Sequence, residues 1–212
     1  MIPYLVMEFV DAMTLAQAMQ QQTRWPFRRA AHVAREIALA LEAIHAGVIY
    51  QGETVAFVHR DLKPANIFLI KKIDGSETIK VADFGLVKMQ GAMQTLSESR
   101  SGRFIGTARY ASPEQCRGEE TLDRRSDLYS LGCILYELLA GQNPFGLPSQ
   151  SSPTQYLMAH VQKSVVPFRS QLGVPDSLTQ IVDRCLHKDP GQRYSSATEL
   201  QEALTTFLTT TS

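Results

Sequence analysis

The sequence lacks the features that would place it in several specialised classes of protein. It contains only three cysteines, Cys116, Cys133 and Cys185, an odd number at wide spacing. This pattern favours free thiols in a reducing compartment over a disulfide framework or a zinc site. The formal net charge is zero, so the charge balance gives no indication of a nucleic acid or a membrane surface as a partner.

Long hydrophobic runs are missing as well. No segment reaches the roughly 18 consecutive apolar residues of a membrane-spanning helix. The apolar segment 1–10 contains Glu8 and has no basic region before it, unlike a signal peptide. We therefore expect a cytoplasmic protein without a membrane segment. Its 212 residues, 44% hydrophobic and 20% charged, are enough for a globular domain with a substantial core.

Hydrophobic periodicity predicts a mainly helical chain. The segment 127–140 is almost wholly apolar, which is typical of a helix in the middle of a domain. His32 and His45 belong to a predicted helix, and we expect them to be surface or capping residues rather than metal ligands. The predicted helices are 14–22, 26–46, 127–140, 154–163, 177–187 and 196–209.

The predicted strands are few and short. The segment 4–9 is predicted to be a strand, and 66–73 with 77–83 is predicted to form a hairpin around Asp74-Gly75. The segment 48–55 contains Gly52 and predicts a second hairpin, which we interpret as a tolerated surface insertion. The segment 89–103 is rich in Ser, Thr and Gly and is expected to be flexible.

The stretch 58–66 contains several polar side chains of potential catalytic use within a few residues. Its sequence V-H-R-D-L-K-P-A-N places a carboxylate, an ammonium and an amide within six residues, at Asp61, Lys63 and Asn66. Pro64 fixes its own φ, so the stretch is a shaped loop between apolar strands. Asp83 follows another short apolar strand. These oxygen-rich side chains suit Mg²⁺ and a phosphorylated ligand.

At these residues the sequence resembles a protein kinase. The family pattern H-R-D-L-x-x-x-N is matched at 59–66, and D-F-G is matched at 83–85. The third pattern, A-P-E, becomes A-S-P-E at 111–114, with an inserted Ser. The run 106–145 looks most like bacterial Ser/Thr kinases of the eukaryotic-like type.

The resemblance implies an α+β, kinase-like fold made of the predominantly helical C-lobe with a small β-hairpin. In this interpretation 1–10 is the last strand of the N-lobe with the hinge, and 11–212 is the C-lobe. The activation segment is about 83–114. The whole chain 1–212 is then a partial protein kinase domain.

The resemblance also implies roles for the polar residues of the loop. Asp61 corresponds to the catalytic base, and Lys63 would steady the transferred phosphoryl group, as in Ser/Thr kinases. Asn66 and Asp83 would bind Mg²⁺. Thr107 would hydrogen-bond toward Asp61 and Lys63.

ATP would be held at the hinge in a protein of this family. Met7 corresponds to the gatekeeper residue, and backbone groups near Glu8 and Val10 would bind adenine. The adenine would lie on Phe68. Asp83 would contribute to the ATP site through the metal. The implied cofactors are therefore ATP and Mg²⁺, and the implied partner is a protein substrate with Ser or Thr acceptors.

Other matching residues have structural roles in the resemblance. His59 is expected to be a core residue that packs under Phe84 and meets Asp127, rather than a general base. Glu114 is expected to pair with Arg193, and such a buried pair would fix the loop.

Control by phosphorylation is a further expectation, because Arg60 precedes the catalytic Asp and its guanidinium could pair with a phosphate. An unmodified polar loop is the alternative. The candidate phosphosites are Thr95, Ser97, Ser99 and Ser101.

No G-x-G-x-x-G precedes Asp61, and neither the strand Lys nor the helix Glu of kinases precedes the hinge. We therefore expect the sequence to be a fragment, a shortened gene model or a natural truncation. Two functions stay open. One is a Ser/Thr protein kinase that transfers the γ-phosphoryl group of ATP. The alternative is a catalytically incompetent lobe that acts as a binding or regulatory module.

Overall fold

A computed structural model describes residues 8–50, 53–72, 74–83, 107–168 and 170–210. Several predictions fall outside these residues and stay predictions. They concern the strand at 4–9 except for its last two residues, the gatekeeper Met7, Phe84, the flexible segment 89–103 and the four candidate phosphosites.

Helices make up most of the described chain. Each of the six predicted helices is present, with both ends within two residues of the prediction, so the predicted helical architecture is confirmed. The short helix α3 was not predicted. The helices are α1 (Leu15–Gln21), α2 (Phe27–His45), α3 (Pro113–Cys116), α4 (Arg125–Ala140), α5 (Pro153–Gln162), α6 (Asp176–Cys185) and α7 (Ala197–Thr210).

Local hydrogen bonds explain where several helices begin. Thr14, Ser112 and Ser152 each accept a hydrogen bond from the backbone of a Gln three residues later, and that Gln side chain bonds back to the cap residue. These capping boxes satisfy two otherwise free backbone donors at each helix start. Gly141 ends α4 with a φ of 70°, a conformation that favours glycine.

The strands form two small antiparallel sheets. The first has the order β1-β4-β5, where β1 is Met13–Thr14, β4 is Ile67–Lys71 and β5 is Glu77–Val81. The second is the hairpin of β2 (Val48–Tyr50) and β3 (Glu53–Val55). Both predicted hairpins are therefore confirmed.

The core is built around α4. Its residues from Ser126 to Leu139 are all buried, as expected for a helix apolar on all sides. Helix α2 packs against α4, α7 and β5, and α6 packs against α4 and α7. The three cysteines are free, and burial raises the pKa of Cys185 to about 12. No helix among the described residues is long and apolar enough to span a membrane.

Candidate active site

The loop 59–66 holds a carboxylate between two donors. Asp61 accepts a hydrogen bond at Oδ2 from Lys63 Nζ at 2.5 Å and another at Oδ1 from the backbone N–H of Thr107 at 3.1 Å. The Asp61 and Lys63 side chains are 29% and 25% exposed, so both can reach a bound molecule. The expected hydrogen bond from Thr107 toward Asp61 is made by the backbone amide of Thr107.

Asp127 at the start of α4 fixes the beginning of this loop. Its Oδ2 accepts from the backbone N–H of His59 at 2.8 Å, and its Oδ1 accepts from that of Arg60 at 2.9 Å. Its carboxylate is almost fully buried. The central helix of the core therefore sets the position of the backbone just before Asp61.

His45 also belongs to this arrangement. Its Nε2 lies 2.8 Å from Asp127 Oδ2, and its side chain is only 5% exposed. The expectation that His45 is a surface or capping residue is therefore wrong. It is the last residue of α2, and the packing of α2 on α4 turns its ring inward. His32 is partly buried, with Nε2 3.3 Å from the carbonyl oxygen of Glu77.

Two backbone positions near the site have unusual geometry. Among the residues that the structure describes, Arg60 and Asp83 are the non-glycine residues with positive φ, at 63° and 56°. Such conformations cost free energy and persist where the surroundings hold them. Arg60 is held on both sides, because Asp127 binds its N–H and Gln115 Nε2 donates to its carbonyl oxygen at 2.7 Å.

His59 joins the loop to the end of the β4–β5 hairpin. The ring is fully buried, and its Nδ1 accepts from the N–H of Asp61 at 3.4 Å. Nε2 therefore carries the proton and donates to the carbonyl oxygen of Ala82 at 3.1 Å. Both ring nitrogens are thus engaged with backbone groups, which favours the predicted structural role over that of a general base.

The same hairpin brings the backbone of Asn66 close to that of Ala82, the residue before Asp83. Asn66 donates from Nδ2 to the carbonyl oxygen of Asp61 at 3.1 Å, which leaves its side-chain oxygen as an acceptor. The N–H of Ala82 donates to the carbonyl oxygen of Asn66 at 2.8 Å, so Asp83 follows directly beside it. Asp83 is exposed. One amide oxygen and one carboxylate fit Mg²⁺, which usually takes few protein ligands and completes its shell with phosphates and water.

No group of three or more His, Cys, Asp or Glu side chains in the described part of the chain could hold a metal ion.

Of the candidate adenine residues, Phe68 lies on the central strand of the three-stranded sheet, and the described residues 8–10 precede β1 in the chain. Phe68 is partly buried on β4 and is paired with Thr14 of β1, into which the segment 8–12 leads. Glu8 is exposed and pairs with Lys80, and Val10 is partly buried. The neighbouring Phe9 is 88% exposed, so its apolar ring is open to solvent.

The segment after residue 107 is anchored by a buried ion pair. Arg193 donates from its two terminal nitrogens to the two oxygens of Glu114, at 2.8 and 2.9 Å. Ser126 Oγ donates to the same carboxylate at 2.7 Å. Burial alone would raise the pKa of Glu114, but these donors outweigh it and hold the pKa below its usual value.

Glu137 of α4 is a site residue that the sequence did not single out. It accepts from Arg109 Nε at Oε1 and from Tyr110 Oη at Oε2, both at 2.8 Å. It is 2% exposed, and burial raises its pKa despite the neighbouring guanidinium. The sequence could have pointed to Glu137 through its position in an apolar helix, because a buried carboxylate needs hydrogen-bond or charge partners.

His160 of α5 links this segment to the core. Its Nε2 donates to the carbonyl oxygen of Arg109 at 3.0 Å, while its Nδ1 accepts from Tyr129 Oη at 2.9 Å. Burial lowers the pKa of His160 to about 4, so the ring is neutral near pH 7.

Comparisons with known proteins identify the family. The family model described as protein kinase domain matches residues 2–205. Serine/threonine-protein kinase A of Synechocystis is 37% identical over 203 residues, which are 96% of this chain and 38% of the relative. Serine/threonine-protein kinase PknB of Mycolicibacterium smegmatis is 38% identical over 204 residues, 96% of this chain and 30% of the relative.

A probable serine/threonine-protein kinase of Clostridium perfringens is 34% identical over 94% of this chain and 26% of its own length. The chain thus spans about a third of the length of the curated relatives it matches. With the family model matching nearly all of the sequence, the chain belongs to the protein kinase family, of the serine/threonine type.

Proposed function

We propose that this chain carries the phosphotransfer site of a serine/threonine protein kinase, which moves the γ-phosphoryl group of ATP to Ser or Thr hydroxyls of proteins. The observation that carries the proposal is the placement of Asp61. Its carboxylate lies between Lys63 and the amide of Thr107, on a loop that Asp127 ties to the central helix.

Asp61 would bind the acceptor hydroxyl of the protein substrate. A carboxylate that is nearly a third exposed can accept a hydrogen bond from an incoming hydroxyl and take its proton during transfer. Positioning of the hydroxyl supplies much of the catalysis in phosphoryl transfer. Thr107 and Lys63 hold the carboxylate in place through its two oxygens, which fixes the direction from which a hydroxyl can approach.

Lys63 would stabilise negative charge. Its ammonium is beside Asp61 and is partly exposed, so it can contact both the carboxylate and a phosphoryl oxygen. A cation at this place is most useful when charge develops on the transferred group.

Asn66 and Asp83 would hold Mg²⁺, and the backbone hydrogen bond between Asn66 and Ala82, the residue before Asp83, supports this proposal. The ion supplies neutralisation of phosphate charge when it is bound. Phe68 and backbone groups near Glu8 and Val10 are the proposed adenine contacts, together with Met7. Control through phosphate binding at Arg60 stays a prediction.

Phosphorylation of peptides tests the proposal. The chain is incubated with labelled ATP and Mg²⁺ and with matched peptides that differ only in Ser, Thr or Tyr as acceptor. The control is Asp61→Asn, which keeps the size of the side chain and its acceptor oxygen but removes the base. We expect incorporation on Ser and Thr peptides, and at least a hundredfold loss in the variant.

Binding of MgATP is measured in parallel as a shift in melting temperature. Binding without phosphorylation, by a chain that unfolds cooperatively, would contradict the phosphotransfer proposal for this polypeptide. It would favour the alternative of a noncatalytic binding or regulatory module. Phosphorylation that is equal in Asp61→Asn would contradict the role proposed for Asp61.

A further inference from the structure

A cavity of about 550 Å³ lies beside α6, and none of its lining residues belongs to the proposed phosphotransfer site. Its apolar lining is formed by Val165, Phe168 and Val174, in the connection between α5 and α6. Tyr136 of the central helix stacks on the ring of Phe168, with centroids 4.7 Å apart, and donates from its hydroxyl to the carbonyl oxygen of Val166. The core therefore holds the apolar side of this α6 cavity in place.

One face of α6 supplies the polar side of the cavity. Asp176, Thr179 and Asp183 line it at spacings of three and four residues, so they follow one another along the same face of the helix. Both aspartates are exposed. Their positions differ by a rise of about 10 Å along the helix axis. The α6 cavity thus carries two separate carboxylates beside its apolar lining.

Neither carboxylate has a cationic partner in the ranges that the structure describes. The side chains of Asp176 and Asp183 form no ion pair or hydrogen bond with another described residue. Partial burial raises the pKa of Asp183, and no neighbouring donor or cation offsets this effect. Arg184, the next residue, is engaged elsewhere, because it pairs with Glu199 and lies over the ring of Tyr194.

This combination of surfaces suits an amphipathic cation. Lys and Arg side chains have an apolar stem and a charged head, so the stem can pack on the apolar lining while the head reaches a carboxylate. An arginine can also stack its guanidinium on an aromatic ring such as that of Phe168. Pockets that take small molecules have volumes of roughly 300–1,000 Å³, so the cavity is large enough for a whole side chain. An anion would meet two negative charges.

We propose that the α6 cavity is a docking site for a basic segment of a partner protein, which inserts a Lys or Arg side chain between the apolar lining and the carboxylates of α6. Charge complementarity selects this partner, because a neutral or acidic segment would leave both carboxylates without a cation. The docking does not depend on the proposed phosphotransfer, since no residue of the cavity takes part in that reaction.

Peptide titration in the absence of ATP, followed by NMR of the backbone amides, tests this proposal. Matched Ala-rich peptides carry a single central Arg, Lys, citrulline, norleucine or Glu, where citrulline and norleucine keep the shape of the side chain without its charge. We expect the Arg and Lys peptides to bind about fivefold more tightly than their neutral counterparts. Their binding should shift the amides of Gly173, Thr179 and Asp183, which line the cavity.

The variants separate a shaped site from general attraction to acidic residues. Asp176→Asn combined with Asp183→Asn removes both charges from exposed positions, and the preference for cationic peptides should be lost. Thr179→Phe keeps both carboxylates but fills the cavity, and it should abolish the preference as well. Asp123→Asn is the matched control, because this carboxylate pairs with Arg125 and does not line the cavity. Its preference should equal that of the unaltered chain.

Arg169 follows Phe168 in the sequence and lies outside the described residues. It is the cation of this connection whose own charge could compete with a peptide, so Arg169→Gln is titrated too, and the preference for Arg and Lys peptides should persist in it. Loss of the preference in this variant would contradict the proposal.

The other outcomes are equally decisive. Equal binding of cationic and neutral peptides, no measurable binding of any, or a preference that survives in the double variant or in Thr179→Phe would overturn the proposal. Amide shifts confined to residues outside the cavity would do the same. Spermidine, a free polycation, is titrated separately. If spermidine shifts the cavity amides and the Arg and Lys peptides do not, the occupant is a small polyamine and the docking proposal is wrong.

Discussion

The pairing of Arg193 with Glu114 gives a clear expectation for a single residue. Arg193 is almost fully buried and also donates to backbone carbonyl oxygens of His187, Lys188 and Arg125. We predict that Arg193→Ala destabilises the fold by roughly 3 kcal/mol, because it leaves a buried carboxylate without its cation. In a chain of this size this corresponds to a fall in melting temperature of about 6–12 °C.

A matched exposed pair provides the control for that measurement. Arg117 and Glu119 are both more than 40% exposed, so Arg117→Ala should change the free energy of unfolding by no more than about 0.5 kcal/mol. Equal melting temperatures for Arg193→Ala and the unaltered chain would contradict the role assigned to the buried pair. Calorimetry or denaturation followed by circular dichroism would provide the comparison.

At the scale of elements, the contact between α4 and α6 depends on Gly132. A Cβ at this position would lie 2.5 Å from Cys185 Cβ, closer than real atoms approach. Gly132→Ala in an open helix would stabilise the protein by about 1 kcal/mol. Here we predict the opposite sign, a destabilisation of about 1–3 kcal/mol, since the two helices must move apart.

The test is whether Gly132→Ala lowers or raises the free energy of unfolding. Chemical denaturation of Gly132→Ala gives the free energy of unfolding, and a value above that of the unaltered chain would show that α4 and α6 do not touch as described.

The helices and strands were the features of the fold that the sequence predicted best. Apolar residues at helical spacing predicted α2 and α4, and Asp74-Gly75 predicted the β4–β5 turn, because these signals are local. The short α3 was missed, although Ser112 and Gln115 form a recognisable capping box. Strand β1 was missed because its two residues gain their hydrogen bonds only by pairing with β4.

At the scale of the whole molecule, Asp127 connects the core to the proposed site. We predict that Asp127→Asn loosens the start of the loop, because the new amide keeps one acceptor oxygen and gains a donor where a backbone N–H points. The amides of His59 and Arg60 should then exchange with solvent about tenfold faster, as expected for the loss of a hydrogen bond to a charged group.

Hydrogen exchange read by NMR measures this change residue by residue. Asp123→Asn serves as the control, since Asp123 is half exposed and binds the neighbouring Arg125 at the surface. If the amides of residues 59 and 60 exchange at the same rate in both variants, the proposed coupling between α4 and the loop is contradicted.

The sequence alone determined every described helix except α3, the hairpins, the resemblance to protein kinases and the motif residues Asp61, Lys63, Asn66 and Asp83, because these follow from local patterns. Only the tertiary structure decided which groups surround them. The inward position of His45, the backbone contact of Thr107 and the pairing of Arg109 with Glu137 join segments far apart in the chain. Such contacts depend on how α2, α4 and the loops pack, which no local pattern specifies.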